Sequence, residues 1–65
     1  MAKLTGREQD VLGLMRFGNE NDEIAREIFV SIHTVKVHVS SMMYKMNARN
    51  RTHLVYLALK QGLID

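Results

Sequence analysis

Beyond Ser31, apolar residues recur at Val35, Val39, Met42 and Met46, the spacing of a helix that buries one stripe. Plotted at about 100° per residue, His33, Lys36, Val37, Ser40 and Tyr44 fall on the opposite side. Ser31 is a favourable N-cap for this helix. Asn47, which tolerates the left-handed conformation, closes it after Met46. Upstream, Thr5-Gly6-Arg7-Glu8 has the spacing of a capping box and starts a helix running to about Phe17, where Gly18 supplies the stop. Its inner face is Val11, Leu14 and Met15, with Leu12 alongside. Gly13 lowers helix propensity by roughly 1 kcal/mol relative to Ala, so tertiary packing has to hold that helix.

Asn19-Glu20-Asn21 is polar and turn-like. A short helix follows from about Asn21 to Phe29, burying Ile24, Ala25 and Ile28, with Asp22 and Glu23 at the positive end of its dipole. Residues 47–50 form a loop, and Asn50 caps a fourth helix that ends before Gly62. Leu63 and Ile64 then fold back on the core. No segment reads as a strand. The pattern predicts an all-α, compact four-helix bundle occupying 1–65 as a single domain. So few residues separate the second and third helices that the pair forms a helix-turn-helix.

The fourth helix is apolar over an unusual width, with Leu54, Val55, Tyr56, Leu57, Ala58 and Leu59 in succession. One small core cannot cover all its sides. Val55 and Ala58 are expected to face inward, leaving Thr52, Tyr56 and Leu59 for a two-fold contact between copies.

At 65 residues the chain is near the lower limit for folding without disulfides or metal. It has no cysteine, which removes disulfides and thiolate metal sites. No apolar run approaches a membrane span and no signal-peptide pattern is present, so a soluble cytoplasmic protein is expected. The formal net charge is only +2, but residues 1–27 sum to −2, whereas residues 28–64 hold five cations and no acid, together with all three histidines. A basic half that carries the two-faced helix is the footprint of a phosphate-binding surface.

The outward mixture on the third helix suits base-pair edges, which offer acceptors, donors and a thymine methyl in the major groove. Candidate base contacts are therefore His33, Lys36, Val37, Ser40 and Tyr44. Lys45, Arg49 and Arg51, with helix N-termini, would grip phosphates. His33 and His38 are five apart, poor spacing for two ligands on one helical face, so no metal is expected. The methionines Met42, Met43 and Met46 read as core. No nucleophile–base pair, metal set or glycine-rich phosphate loop appears. An enzyme is thus the weakest reading, and no cofactor is expected.

The chain resembles the DNA-binding domain of the LuxR/NarL/GerE family of bacterial transcription regulators. The resemblance runs from Leu4 to Ile64 through Leu4-Thr5, Arg7-Glu8, Val11-Leu12, Leu14, Gly18, Asn21, Glu23-Ile24-Ala25, Ser31, Thr34-Val35-Lys36, His38, Lys45, Arg51-Thr52 and Gly62-Leu63-Ile64. It implies that the third helix enters the major groove of double-stranded DNA and that the fourth pairs two copies as a homodimer on two-fold-related half-sites. Lys36 and Val37 match base-contacting positions. Ser40 occupies a place often held by a longer polar or basic residue. Thr34, His38 and Lys45 match positions near the phosphate backbone or its support, and the cap Ser31 is a further phosphate candidate.

Some positions depart from the family. Glu20 and Asp22 make the entrance to helix two more acidic than usual, Asn47 replaces a common glycine, and Arg16 replaces a small residue. Family members usually carry a receiver or ligand-binding domain ahead of this one, so the chain reads either as a stand-alone regulator or as the effector domain of a longer one. A different class of reading makes it a protein-interaction module, docking on RNA polymerase, a sigma factor or another regulator through the apolar fourth helix.

Overall fold

Three N-caps written in the sequence start three helices in the computed structural model, which describes residues 3–65. Met1 and Ala2, counted above in the single domain, lie outside the described residues. Thr5 Oγ1 accepts from the Glu8 amide at 3.1 Å, and Glu8 Oε1 accepts from the Thr5 amide at 2.9 Å. This closed capping box opens α1, Gly6–Met15. Ser31 Oγ accepts from the Thr34 amide and opens α3, Ile32–Met46. Asn50 Oδ1 accepts from the His53 amide and opens α4, Arg51–Lys60. Between α1 and α3 lies α2, Asn21–Glu27, where the Glu23 carboxylate accepts from the Glu20 amide. The described residues contain no strand.

Three of the four helix ends follow one device. The amides of Val30, Ala48 and Leu63 donate to the carbonyls of Ala25, Met43 and Ala58, five residues back, and Phe29, Asn47 and Gly62 take positive φ just before them. This is the Schellman arrangement, which satisfies terminal carbonyls and brings an apolar pair together across the cap. Asn47 does as its residue type suggests, at φ 54°. At Phe29 the expectation fails. The second helix stops at Glu27, and Phe29 itself takes φ 59°, a conformation unfavourable for a bulky residue. The first helix ends differently, at Met15, with Arg16 to Gly18 forming a turn closed by the Gly18 amide on the Met15 carbonyl and Gly18 at φ 88°.

A single core joins the four helices: Leu4, Val11, Leu12, Met15, Ile24, Ala25, Val35, Val39, Met42, Met46, Leu54 and Ala58 are buried. α3 lies at the centre, packed on α1, α2 and α4, and its expected stripe is buried in full. Two inner faces are rotated from expectation. In α1 the buried set is Glu8, Val11, Leu12 and Met15, at i, i+3, i+4 and i+7, while Leu14 is only half-buried. The stripe is centred on a carboxylate that apolar patterning passes over. In α4, Leu54 and Ala58 face inward and Val55 is half-buried. Ile28 and Met43 are also half-buried rather than core, and Leu63 and Ile64 pack back on the core as expected. No described helix is long and apolar enough to cross a membrane.

Candidate nucleic-acid interface

Because α3 buries Val35, Val39, Met42 and Met46, its other side is free to face outward. His33, Lys36, Val37, Ser40 and Tyr44 are all exposed there, Val37 at 53% and Tyr44 at 89%. The structure thus brings the five base-contact candidates onto one side of one helix. Ile32, the first residue of α3, lies at the border between this side and the buried stripe, three residues before Val35 and four before Lys36, and is 44% exposed. It was not among the candidates, although its i+4 relation to Lys36 is readable in the sequence.

At the N-terminus of the helix, Ser31 Oγ and Thr34 Oγ1 lie 3.0 Å apart, and the same Ser31 oxygen caps the helix. Ser31 is exposed, Thr34 and His38 are half-buried, and Arg49 is exposed in the loop before α4. Lys36 and Arg49 make no ion pair among the described residues, and α3 has no acid in its first turn.

Two other phosphate candidates are engaged within the fold. Lys45 Nζ donates to Glu8 Oε1 at 2.7 Å, and the Glu8 side chain is only 4% exposed. Burial by itself would raise the Glu8 pKa. The Lys45 ammonium, the Thr5 amide and the Ser41 hydroxyl outweigh burial and lower it from 4.5 to about 2. This pair ties the last turn of α3 to the first turn of α1. Arg51 spans the gap to α2, with Nη1 donating to Asn21 Oδ1 at 2.6 Å and Nη2 to the Asn19 carbonyl at 2.8 Å. Both cations brace the helices that present the outward face of α3. Sequence reasoning had no local signal for either contact, because the partners lie 37 and about 30 residues apart.

On α4, Thr52, Tyr56 and Leu59 are exposed, Tyr56 at 55% and Leu59 at 47%. Tyr56 stacks on His53 with ring centroids 6.4 Å apart, and Lys60 Nζ lies 5.9 Å from its centre. Beside this face, Met15, Arg16, Val55, Tyr56 and Leu59 line a groove of about 470 Å³. His53 Nδ1 accepts from the Arg49 amide at 2.9 Å, which fixes the start of the helix. No group of three or more His, Cys, Asp or Glu side chains among the described residues is placed to hold a metal ion.

Residues 2–58 match the family described as bacterial regulatory proteins, luxR family. Over 61 residues the chain is 43% identical to an uncharacterized transcriptional regulatory protein, YxjL, of Bacillus subtilis strain 168, covering 94% of this chain and 28% of that protein. It is 42% identical to the oxygen regulatory protein NreC of Staphylococcus carnosus, over 95% of this chain and 29% of that one. The chain therefore spans under a third of the length of these relatives. Among solved structures it superimposes on the transcription factor GerE with a TM-score of 0.91 at 26% identity, covering 95% of this chain and 92% of that one. The Vibrio cholerae VqmA–ligand–DNA complex gives 0.88 at 38% identity, over 94% of this chain and 27% of that one.

Proposed function

We propose how this chain, a DNA-binding domain that belongs to the luxR family of bacterial regulatory proteins, reads its target in the cytoplasm. α3 enters the major groove with its N-terminal turns toward the bases. Lys36 bonds O6 or N7 of a guanine, and Val37 meets a thymine methyl. His33, Ser40 and Tyr44 supply further donors along the same side. Ser31, Thr34, His38 and Arg49 hold phosphates, with Lys45 and Arg51 holding the helices that carry them. Two copies pair through Thr52, Tyr56 and Leu59 on a two-fold-related site.

One observation carries this reading. α3 leaves open a side that contains a lysine, an aliphatic, hydroxyls and an imidazole but no carboxylate, directly behind its fully buried stripe. A helix serving only to be solvated would carry mixed charges there. The exposed Tyr56 and Leu59 support the pairing, because linking two weak half-site contacts raises affinity through effective concentration.

Selection of bound fragments from random duplexes tests the reading. A two-fold-symmetric motif, with affinity that falls steeply as salt rises, is expected. Absence of any enriched sequence would overturn it. A salt-insensitive complex with polymerase, a sigma factor or another regulator would instead favour protein docking through the same exposed α4 residues.

A further inference from the structure

We propose that Ile32 reads a thymine methyl next to the base pair contacted by Lys36, an inference that rests on the DNA-binding mode above. Ile32 is the first residue of α3. Steps of four residues along a helix advance by only about 40° around the axis, so Ile32, Lys36, Ser40 and Tyr44 form one continuous ridge. All four are exposed. The ridge begins at the end of the helix that base edges meet first in a helix-turn-helix. Ile32 therefore stands closer to the bases than Tyr44, which lies three helical steps further along.

The side chain has the right chemistry for that place. It lies in a shallow depression lined by Ala25 and Val30 and by the Asp22–Arg26 ion pair of α2, yet 44% of it remains open. Its neighbours in the fold leave a large part of an apolar surface without a partner. The family of base edges offers one apolar feature in the major groove, the C5-methyl of thymine. Branching at Cβ leaves few rotamers to lose on contact. Ile32 and Lys36 are separated by about 6 Å along the helix, and stacked base pairs by about 3.4 Å. The thymine is therefore one or two base pairs from the guanine of Lys36.

The test uses the 65-residue chain and a duplex selected from a random pool. The base whose preference disappears in Lys36→Ala marks the Lys36 position. Each thymine one or two steps away is then replaced by deoxyuridine, which removes only the methyl. At one of them the wild type should bind about fourfold more weakly, the worth of one buried methyl group. Ile32→Ala should bind the thymine and uracil duplexes alike, whereas Val37→Ala and Ile32→Val keep the difference. The Ile32→Ala protein should also retain wild-type affinity for a scrambled duplex, which excludes loss of fold. Equal sensitivity to methyl removal in wild type and Ile32→Ala would overturn the inference, as would the absence of any thymine preference in that window. Failure to enrich any duplex would instead defeat the DNA-binding reading itself.

Discussion

Replacing Lys45 by Met removes a cation and keeps most of its apolar stem, and the structure sets what this should do. The Glu8 carboxylate is 4% exposed and its closest cation is Lys45 Nζ at 2.7 Å. A pKa lowered from 4.5 to about 2 corresponds, at roughly 1.4 kcal/mol per unit, to on the order of 3 kcal/mol of stability at neutral pH. Because the folded-state value is the lower one, this contribution is complete above pH 4.5 and is lost as pH falls toward 2. Removing the ammonium leaves a buried carboxylate held only by the Thr5 amide and Ser41, and unpaired buried charges cost about 3–5 kcal/mol. With the burial effect then dominant, the Glu8 pKa should rise above 4.5 in Lys45→Met. The sign of the pH dependence inverts around that value: acidification weakens the wild type but relieves the variant. Thermal unfolding followed by circular dichroism at a series of pH values reads both effects. At neutral pH the midpoint should fall by about 12–40 °C, given 4–8 °C per kcal/mol in a domain this small. Adding Glu8→Leu to Lys45→Met should restore most of the loss, since an apolar pair of similar volume is tolerated where a broken ion pair is not. A midpoint that moves by only about 2 °C, with DNA affinity falling equally on every sequence, would refute the argument and make Lys45 a phosphate contact.

Lys36→Ala should weaken binding to the selected duplex by about 1–3 kcal/mol and relax discrimination at one base pair, measured by fluorescence anisotropy on a panel of single-base variants. Tyr56→Asp or Leu59→Asp should abolish cooperative occupancy of a two-fold site, while affinity for an isolated half-site stays within about twofold, well under the tenfold change of 1.4 kcal/mol; gel-shift titrations on both duplexes separate these outcomes. Gly13→Ala should raise stability by about 1 kcal/mol in urea denaturation, because a methyl there meets nothing within 4 Å and helix propensity improves. Phe29→Gly should likewise stabilise, by about 0.5–1 kcal/mol, since Phe29 is 93% exposed at φ 59° and little packing is lost.

The local parts of this fold were legible because they are encoded locally. Thr5 with Glu8, Ser31 and Asn50 each need a partner three residues away, and all three caps form as the residue types suggest. The inner stripe of α3 was readable for the same reason, since four apolar positions at helical spacing leave one choice of face. The misses have non-local or unfavourable origins. Val55 and Leu54 are both aliphatic neighbours in an apolar run, so composition could not decide which faces in; Leu54 shares the buried face with Ala58, four residues on, while Val55 is half-buried. Phe29 carries no left-handed signal, and its positive φ arises because the chain must reverse between Glu27 and Ser31 with Val30 packed back on Ala25. Of the interface, the open side of α3 was visible from periodicity, whereas the roles of Lys45 and Arg51 were not, since a cation on a basic helix looks alike whether it meets a phosphate or a distant carboxylate.

That last ambiguity explains how so short a chain divides its charges. Lys45 and Arg51 are positioned by Glu8, Asn21 and the Asn19 carbonyl, so their cations hold α1 and α2 to α3 and α4. Lys36 and Arg49 make no ion pair among the described residues, which on the proposed reading leaves their charges for the DNA. The division has a consequence for salt dependence. If all four cations met phosphates or bases, the slope of log affinity against log salt would include each of them, at about 0.9 per phosphate neutralised. With two held inside the fold, Arg49→Ala should reduce the slope by about one per copy, while Arg51→Ala should leave it unchanged and lower stability instead. Equal slope changes in the two variants would place Arg51 on the backbone of the DNA and remove it from the brace between α2 and α4.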